Sequence, residues 1–269
     1  MIDIHSHILP YMDDGSKDMD MSLRIAEIYV ENGIYKVIAT PHYMDGVMYK
    51  SNEELRIGLE NLKKSLARAG IPLELYPGNE VYIKPDIIDD LEKGKISTLN
   101  DSRYILIELP MNEIPIYVEE LIYELCIKGY VPIIAHPERY TKISKDPNIL
   151  YRYISMGALA QINLKSIEGF YGSRVKNTAE LLLKHKMIHF VGSDSHSSNH
   201  RSPDLRNSLN ILSDLVDDKY FDQLTFKNQE AVLKNKAIDI IPPKKVVGQG
   251  DRNFVHLIWS KLQGIFFDL

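Results

Sequence analysis

Histidines and carboxylates recur in this chain directly after short apolar runs, and they are the side chains that hold divalent cations. Residues 2–4 run into His5-Ser6-His7. In extended backbone, positions i and i+2 share a face, so both imidazoles can reach one point. Asp13-Asp14-Gly15 follows. Residues 37–40 lead through Pro41 to His42, and residues 73–76 lead through Pro77-Gly78-Asn79 to Glu80. Residues 104–107 end in Glu108, residues 131–135 in His136-Pro137-Glu138-Arg139, and residues 188–191 in Gly192-Ser193-Asp194-Ser195-His196.

The donor set selects the chemistry. His5, His7, His42, His136 and His196 stand with Asp14, Glu80, Glu108 and Asp194, and no thiolate is among them. Mixed imidazole and carboxylate suits Zn²⁺, Mn²⁺ or Fe²⁺, and argues against an all-oxygen calcium cage or a thiolate zinc staple. Singly, each residue has a bland explanation as a satisfied structural histidine or a solvated carboxylate. Gathered at one mouth, the carboxylates would be very costly to bury without cations. The set exceeds the needs of one ion and suffices for three, if a carboxylate bridges and water completes the shells. Three divalent ions outweigh four carboxylates, so the site would attract a phosphate dianion. A cysteine-dependent route lacks its parts. Cys126 would need Arg six positions on, where Pro132 stands, and it follows Val118, Leu121, Ile122 and Leu125 at core helical spacing. No Gly-rich loop with Lys-Ser/Thr is present for nucleotide phosphates.

The elements that must position these residues are legible as alternation. Seven short runs rich in β-branched residues (2–4, 37–40, 73–76 continuing to 81, 104–107, 131–135, 159–162 and 188–191) read as buried parallel strands. Amphipathic stretches at 22–32, 52–69, 115–128 and 174–185 separate them, the first three stopped by Gly33, Gly70 and Gly129. This is an α/β pattern, closed or nearly closed as a barrel, with an open doubly wound sheet as the competitor. In either, active sites sit at the carboxyl-terminal strand ends. Residues 1–243 read as one domain. Pro242-Pro243-Lys244-Lys245 and Gly248-Gln249-Gly250 then break the pattern. The segment 244–269 carries Phe254, Val255, Leu257, Ile258, Trp259, Leu262, Ile265, Phe266 and Phe267, an amphipathic tail that docks on the barrel or on a partner or membrane surface. The chain has 269 residues, 44% of them hydrophobic, and a net charge of −5. That balance excludes a disordered chain and argues against a generic nucleic-acid surface. No run approaches the length of a transmembrane helix, no signal peptide is apparent, and a single cysteine permits no internal disulfide, so a cytoplasmic location is expected.

His5-x-His7, Thr40-Pro41-His42, Glu80, Glu108, His136-Pro137-Glu138-Arg139 and Asp194-x-His196 together resemble the polymerase and histidinol phosphatase (PHP) superfamily. More narrowly, residues 1–243 are similar to the bacterial manganese-dependent tyrosine phosphatases of capsule and exopolysaccharide synthesis. The resemblance implies a distorted (β/α)7 TIM-like barrel with a trinuclear metal site at the carboxyl-terminal strand ends. It implies that His5, His7, Glu80 and Asp194 hold the first ion, that Glu80 bridges to a second held by Glu108 and His136, and that His42, His196 and an aspartate hold the third. Both Asp13 and Asp14 are available for that last role, and Asp14 is favoured. Manganese is the implied metal, with zinc, iron and magnesium open. The resemblance also implies phosphate contacts from Arg139 and Arg201.

The expected reaction is phosphomonoester hydrolysis by a hydroxide bridging the ions; the resemblance implies as substrate the phosphotyrosines of a bacterial tyrosine autokinase, a partner able to recruit the enzyme to the membrane. Arginine forks match phosphate geometry, and a phenol of pKa ~10 leaves more easily than an aliphatic alcohol. Tyr43, Tyr140 and Tyr171 are candidates to stack on the substrate ring, with core or surface packing the stronger reading of each; the general acid is unassigned, and a homo-oligomer is admitted. Two rivals remain: a small-molecule phosphatase of histidinol-phosphate type, and a non-catalytic regulator that binds the kinase and uses metal as a staple.

Overall fold

The computed structural model describes residues 1–44, 46, 47 and 50–247. Its strands and helices alternate as β1 (Asp3–Ser6), α1 (Met19–Glu31), β2 (Lys36–Ala39), β3 (His42–Tyr43), α2 (Asn52–Ala69), β4 (Glu74–Pro77), β5 (Glu80–Tyr82), α3 (Ile87–Glu92), β6 (Tyr104–Glu108), α4 (Val118–Ile127) and β7 (Val131–Ala135). They continue as α5 (Thr141–Lys145), α6 (Asn148–Ser155), β8 (Leu159–Asn163), α7 (Leu164–Glu168), α8 (Ser173–Lys184), β9 (Phe190–Gly192), α9 (Arg206–Leu215), α10 (Asp218–Asp222) and α11 (Asn228–Leu233).

Every strand pair is parallel, in the orders β1-β2-β4 and β3-β5-β6-β7-β8-β9. The two sheets are one interrupted wall. β2 and β3 are halves of one strand broken at Thr40-Pro41, and β4 and β5 are halves of another broken at Gly78-Asn79. Pro41 has no N–H to give a ladder. At Gly78 a Cβ would lie 2.9 Å from side-chain atoms of Ile38 and Leu99, so the chain passes there only without a side chain. The breaks bring His42 and Glu80 into register as neighbours, which is what bulges beside active sites do.

The seven strand positions thus follow chain order, and the last returns to the first. Ser6 and Ser195 form a parallel bridge, His7 N donates to Ser195 O (2.9 Å) and Asp194 N to His5 O (2.9 Å). That seam closes a barrel and excludes an open doubly wound sheet. Beneath it the buried Tyr29 hydroxyl of α1 donates to Asp3 Oδ2 (2.7 Å) and lies 2.7 and 2.8 Å from the hydroxyls of Ser193 and Ser195. Ile4, Ile38, Leu106, Ile133, Leu159 and Phe190, one from each of six strands, cluster under the site; a larger apolar layer packs the helices onto the wall.

Helix limits have local causes. α1 begins earlier than the apolar spacing implies, because the Asp18 side chain caps it by accepting from Met21 N. α2 spans the expected 52–69, with a Ser51–Glu54 capping box and Gly70 left-handed at φ 69°. Past Pro243 the chain is still tied down: Lys244 N donates to His185 O (2.8 Å), and Val246 exchanges two hydrogen bonds with the Asn148 side chain. The expected aromatic tail around Trp259 lies outside the described residues. Among the described residues no helix is long and apolar enough to cross a membrane.

Candidate metal centre

All nine expected donors arrive at the carboxyl-terminal mouth, and they arrive as overlapping groups. His5, His7, Glu80 and Asp194 offer ligand atoms within 4.8 Å of one another; so do His7, Asp14, His42 and His196, and so do His42, Glu80 and Glu108. His136 joins through Nε2, 2.9 Å from Glu80 Oε1 and 3.6 Å from Glu108 Oε1. His7, Glu80 and His42 are each shared by two of the three groups, and Glu80 Oε2 lies 3.1 Å from His5 Nε2, 3.2 Å from His7 Nε2 and 3.2 Å from His42 Nδ1. His136 (φ 32°) and Asp194 (φ 52°) sit in the left-handed region. Non-glycine residues there cost about 1–3 kcal/mol each, a strain found where function needs a side chain re-aimed.

Asp13 and Asp14 face different partners. Asp13 is spent on orientation: it accepts from His7 Nδ1 (2.7 Å), His42 N (2.8 Å) and Gly15 N (2.9 Å). Asp14 is about half exposed and points an oxygen at His42 Nε2 (3.5 Å) and His196 Nε2 (3.4 Å). Gly15 lets the loop close over His7, since a Cβ would fall 2.4 Å from both His7 Cβ and His7 O.

Electrostatics test whether cations fit. Burial opposes charge on His5, yet Glu80 and Asp194 outweigh it and drive the ring up to about 9. Burial likewise opposes charge on Glu80 and Asp194, but the surrounding imidazoles hold both carboxyls well below their usual range. Burial and the nearby Glu80 push Glu108 up, while burial and Arg139 hold His136 down at about 4. The centre therefore demands positive charge that its own residues supply unevenly. His5 Nε2 and His7 Nε2 face each other at 3.3 Å; two N–H groups there repel, whereas a cation between bare nitrogens does not. Among the described residues the buried atoms His42 Nδ1 and His196 Nε2, which face the cluster's carboxylates, have no hydrogen-bond partner, a cost native interiors avoid unless a ligand answers it. The donor set fits divalent metal.

Both expected arginines reach the centre. Arg201 Nη2 lies 2.6 Å and Arg139 Nη1 3.3 Å from Asp194 Oδ2. The Arg139 guanidinium stacks 4.9 Å over the Tyr171 ring. Of the three tyrosines weighed as ring-stacking candidates against plain packing, only Tyr171 lies at the mouth, beside Arg139. Tyr43 and Tyr140 are core: the Tyr43 hydroxyl donates to Asp90 (2.7 Å), and the Tyr140 hydroxyl accepts from Leu109 N (2.9 Å). Sequence reasoning missed Phe170 and His200, which stack at 4.8 Å beside Tyr171. It also missed the roles of two residues on the expected strand β8: Gln161 and Asn163 are fully buried and touch His5 and Asp194. Their i, i+2 spacing on a strand was the available signal, but neutral amides are not metal-ligand types.

A closed parallel barrel with grouped histidines and carboxylates at its carboxyl-terminal mouth defines a barrel protein built to hold metal ions at that end. Residues 1–234 match the family model described as capsular polysaccharide synthesis, CpsB/CapC, and the chain belongs to that family. It is 40% identical over 246 residues to the tyrosine-protein phosphatase YwqE of Bacillus subtilis (strain 168), covering 91% of this chain and 96% of that protein. It also matches a chain from the crystal structures of YwqE and of CpsB from Streptococcus pneumoniae, described as unique metal-dependent tyrosine phosphatases. The TM-score is 0.89 with 39% identity, over 92% of this chain and 100% of the other. Histidinol phosphate phosphatase of Lactococcus lactis shares the fold alone, at TM-score 0.51 and 14% identity over 83% of this chain and 95% of that one.

Proposed function

We propose that this chain is a metal-dependent protein-tyrosine phosphatase of capsule or exopolysaccharide synthesis. The observation that carries the reading is the double duty of Asp194. Its Oδ1 faces His5 (3.5 Å), His7 (3.4 Å) and His196 (3.4 Å), while its Oδ2 takes both arginines. An anion cradle thus adjoins a cation centre, as phosphoryl transfer requires. His5, His7, Glu80 and Asp194 would hold one ion, Glu80, Glu108 and His136 a second, and Asp14, His42 and His196 a third, with manganese as the metal. Such ions supply Lewis acidity toward phosphoryl oxygens and lower the pKa of water toward neutrality.

The chain's own residues do the rest. Arg139 and Arg201 present planar donor forks to the phosphoryl oxygens. Tyr171 holds the Arg139 fork flat by stacking and offers an aromatic wall to the departing phenol. The substrate we infer is the phosphorylated tyrosine of a bacterial tyrosine kinase, reached in the cytoplasm and recruited to the membrane by that partner. Residues 1–243 form the catalytic unit, and 244–269 serve docking. The test is a substrate panel on metal-stripped protein refilled with Mn²⁺, Zn²⁺ or Mg²⁺. Phosphotyrosine peptide should be turned over fastest; preference for histidinol phosphate or phosphoserine peptide would overturn the assignment.

A further inference from the structure

The strand that carries no histidine or carboxylate donor, β8, lies between the strands that carry His136 and Asp194, and its two buried amides form a continuous path between two proposed ligands of the first ion. His5 Nδ1 lies 2.8 Å from Gln161 Oε1. Gln161 Nε2 lies 3.1 Å from Asn163 Oδ1, and Asn163 Nδ2 lies 2.7 Å from Asp194 Oδ2. Both amide side chains are fully buried, with no solvent exposure. Burying two amides inside a barrel is costly unless they are paired, and these are paired end to end.

The path has one consistent polarity. An ionised carboxylate can only accept, so Asp194 Oδ2 forces Asn163 to present its NH₂. Asn163 Oδ1 must then accept, which forces Gln161 to present its NH₂. Gln161 Oε1 is left to accept, and its partner among the described residues is His5 Nδ1, which must then carry the hydrogen. We infer that Gln161 and Asn163 are positioning residues that fix His5 in the Nδ1–H tautomer, with the Nε2 lone pair aimed at the cation site. His5 Nε2 is the atom that meets His7 Nε2 at 3.3 Å and Glu80 Oε2 at 3.1 Å. His7 receives the same treatment from Asp13, so both imidazoles of the first ion are held through Nδ1 by a buried partner. Such outer partners set ring orientation and ligand basicity.

A second observation comes from Gly192 on β9. A Cβ there would lie 2.9 Å from Gln161 Nε2, 3.2 Å from Gln161 Cδ and 3.0 Å from His5 Cβ. The backbone of the last strand is bare where the Gln161 amide crosses it. Gly192 therefore reserves the space for the path, and filling that space disturbs it without removing any of its polar atoms.

The inference rests on the metal reading, and the experiment separates the two. The full chain is loaded with Zn²⁺, which is diamagnetic, and labelled with ¹⁵N-histidine. Wild type should show a His5 Nδ1–H proton protected from water exchange. Gln161→Met should lose that protection and bind Zn²⁺ and Mn²⁺ about 10- to 100-fold more weakly. Gly192→Ala should weaken binding in the same direction. A His5 that ligates through Nδ1 in wild type overturns the inference without any variant. So does a folded Gln161→Met protein with unchanged metal affinity and an unchanged His5 signal. If wild type takes up no cation at all, the metal centre itself is refuted.

Discussion

His189→Asn should flatten the acid sensitivity of this fold. His189 precedes β9 and is buried. Its Nδ1 accepts from Ala160 N (3.1 Å), so the ring proton sits on Nε2, which has no partner. Protonating Nδ1 would set N–H against N–H, and burial alone pulls the ring down to about 3. The unfolded chain protonates near the ordinary histidine value of about 6.5. Between those values the unfolded state holds more protons, so stability falls as pH drops from about 6.5 toward 3 and is complete above 6.5. At pH ~5 the unfolded ring is roughly thirty-fold biased toward the charged form, a loss of about 2 kcal/mol. Asparagine can keep the acceptor for Ala160 N and has no proton to gain. Urea unfolding of both proteins at pH ~7.5 and ~5 gives the comparison, and metal and other titrations cancel in the difference. The variant should lose about 2 kcal/mol less than wild type on acidification. Parallel losses, within the ~0.5 kcal/mol scatter of such measurements, would refute the reasoning.

Four further outcomes are expected. Glu108→Gln removes a buried carboxyl raised by burial and Glu80; metal-free protein should melt higher, and the rise in melting temperature on adding Mn²⁺ should shrink. Arg139→Ala and Arg201→Ala should each lower kcat/KM by about 10²–10³ on phosphotyrosine peptide, with metal content unchanged by mass spectrometry. The double variant should lose less than the product, because both forks serve one phosphoryl group. Cys126→Ser should leave kcat untouched, since Cys126 is a free thiol raised by burial and bonded to Met156 O on the flank of the barrel. Gly15→Ala should cost about 1–3 kcal/mol of stability by overpacking and release metal, because its Cβ collides with His7; an equilibrium dialysis assay that finds full metal content would count against the site's dependence on that loop.

The gathering of the nine candidate donors was legible because parallel strands deliver their ends to one place, so order along the chain became proximity in space. His5-x-His7 and Asp194-x-His196 needed only the strand period. What stayed hidden has physical causes. The breaks at Pro41 and Gly78 split two strands, and no apolar period marks a bulge. Gln161 and Asn163 act by hydrogen bonding to ligands, and an amide in a strand has no distinctive type for that role. Asp13 and Asp14 are adjacent, so only the loop's path decides which one turns to His7 and which to His42 and His196. Tyr43 and Tyr140 take the core-packing role, the stronger reading of each: β3 and the turn after His136 direct them inward, where their hydroxyls find Asp90 and Leu109.

The seam where β9 meets β1 has a consequence for biosynthesis. His5 and His7 leave the ribosome first, yet their companions Asp194 and His196 emerge almost two hundred codons later, as do Ser193 and Ser195, the hydroxyls that join Tyr29 and Asp3. A nascent or prematurely terminated chain therefore carries half of a centre with nothing to close it. Catalytic competence arrives in one late event, when the last strand docks against the first.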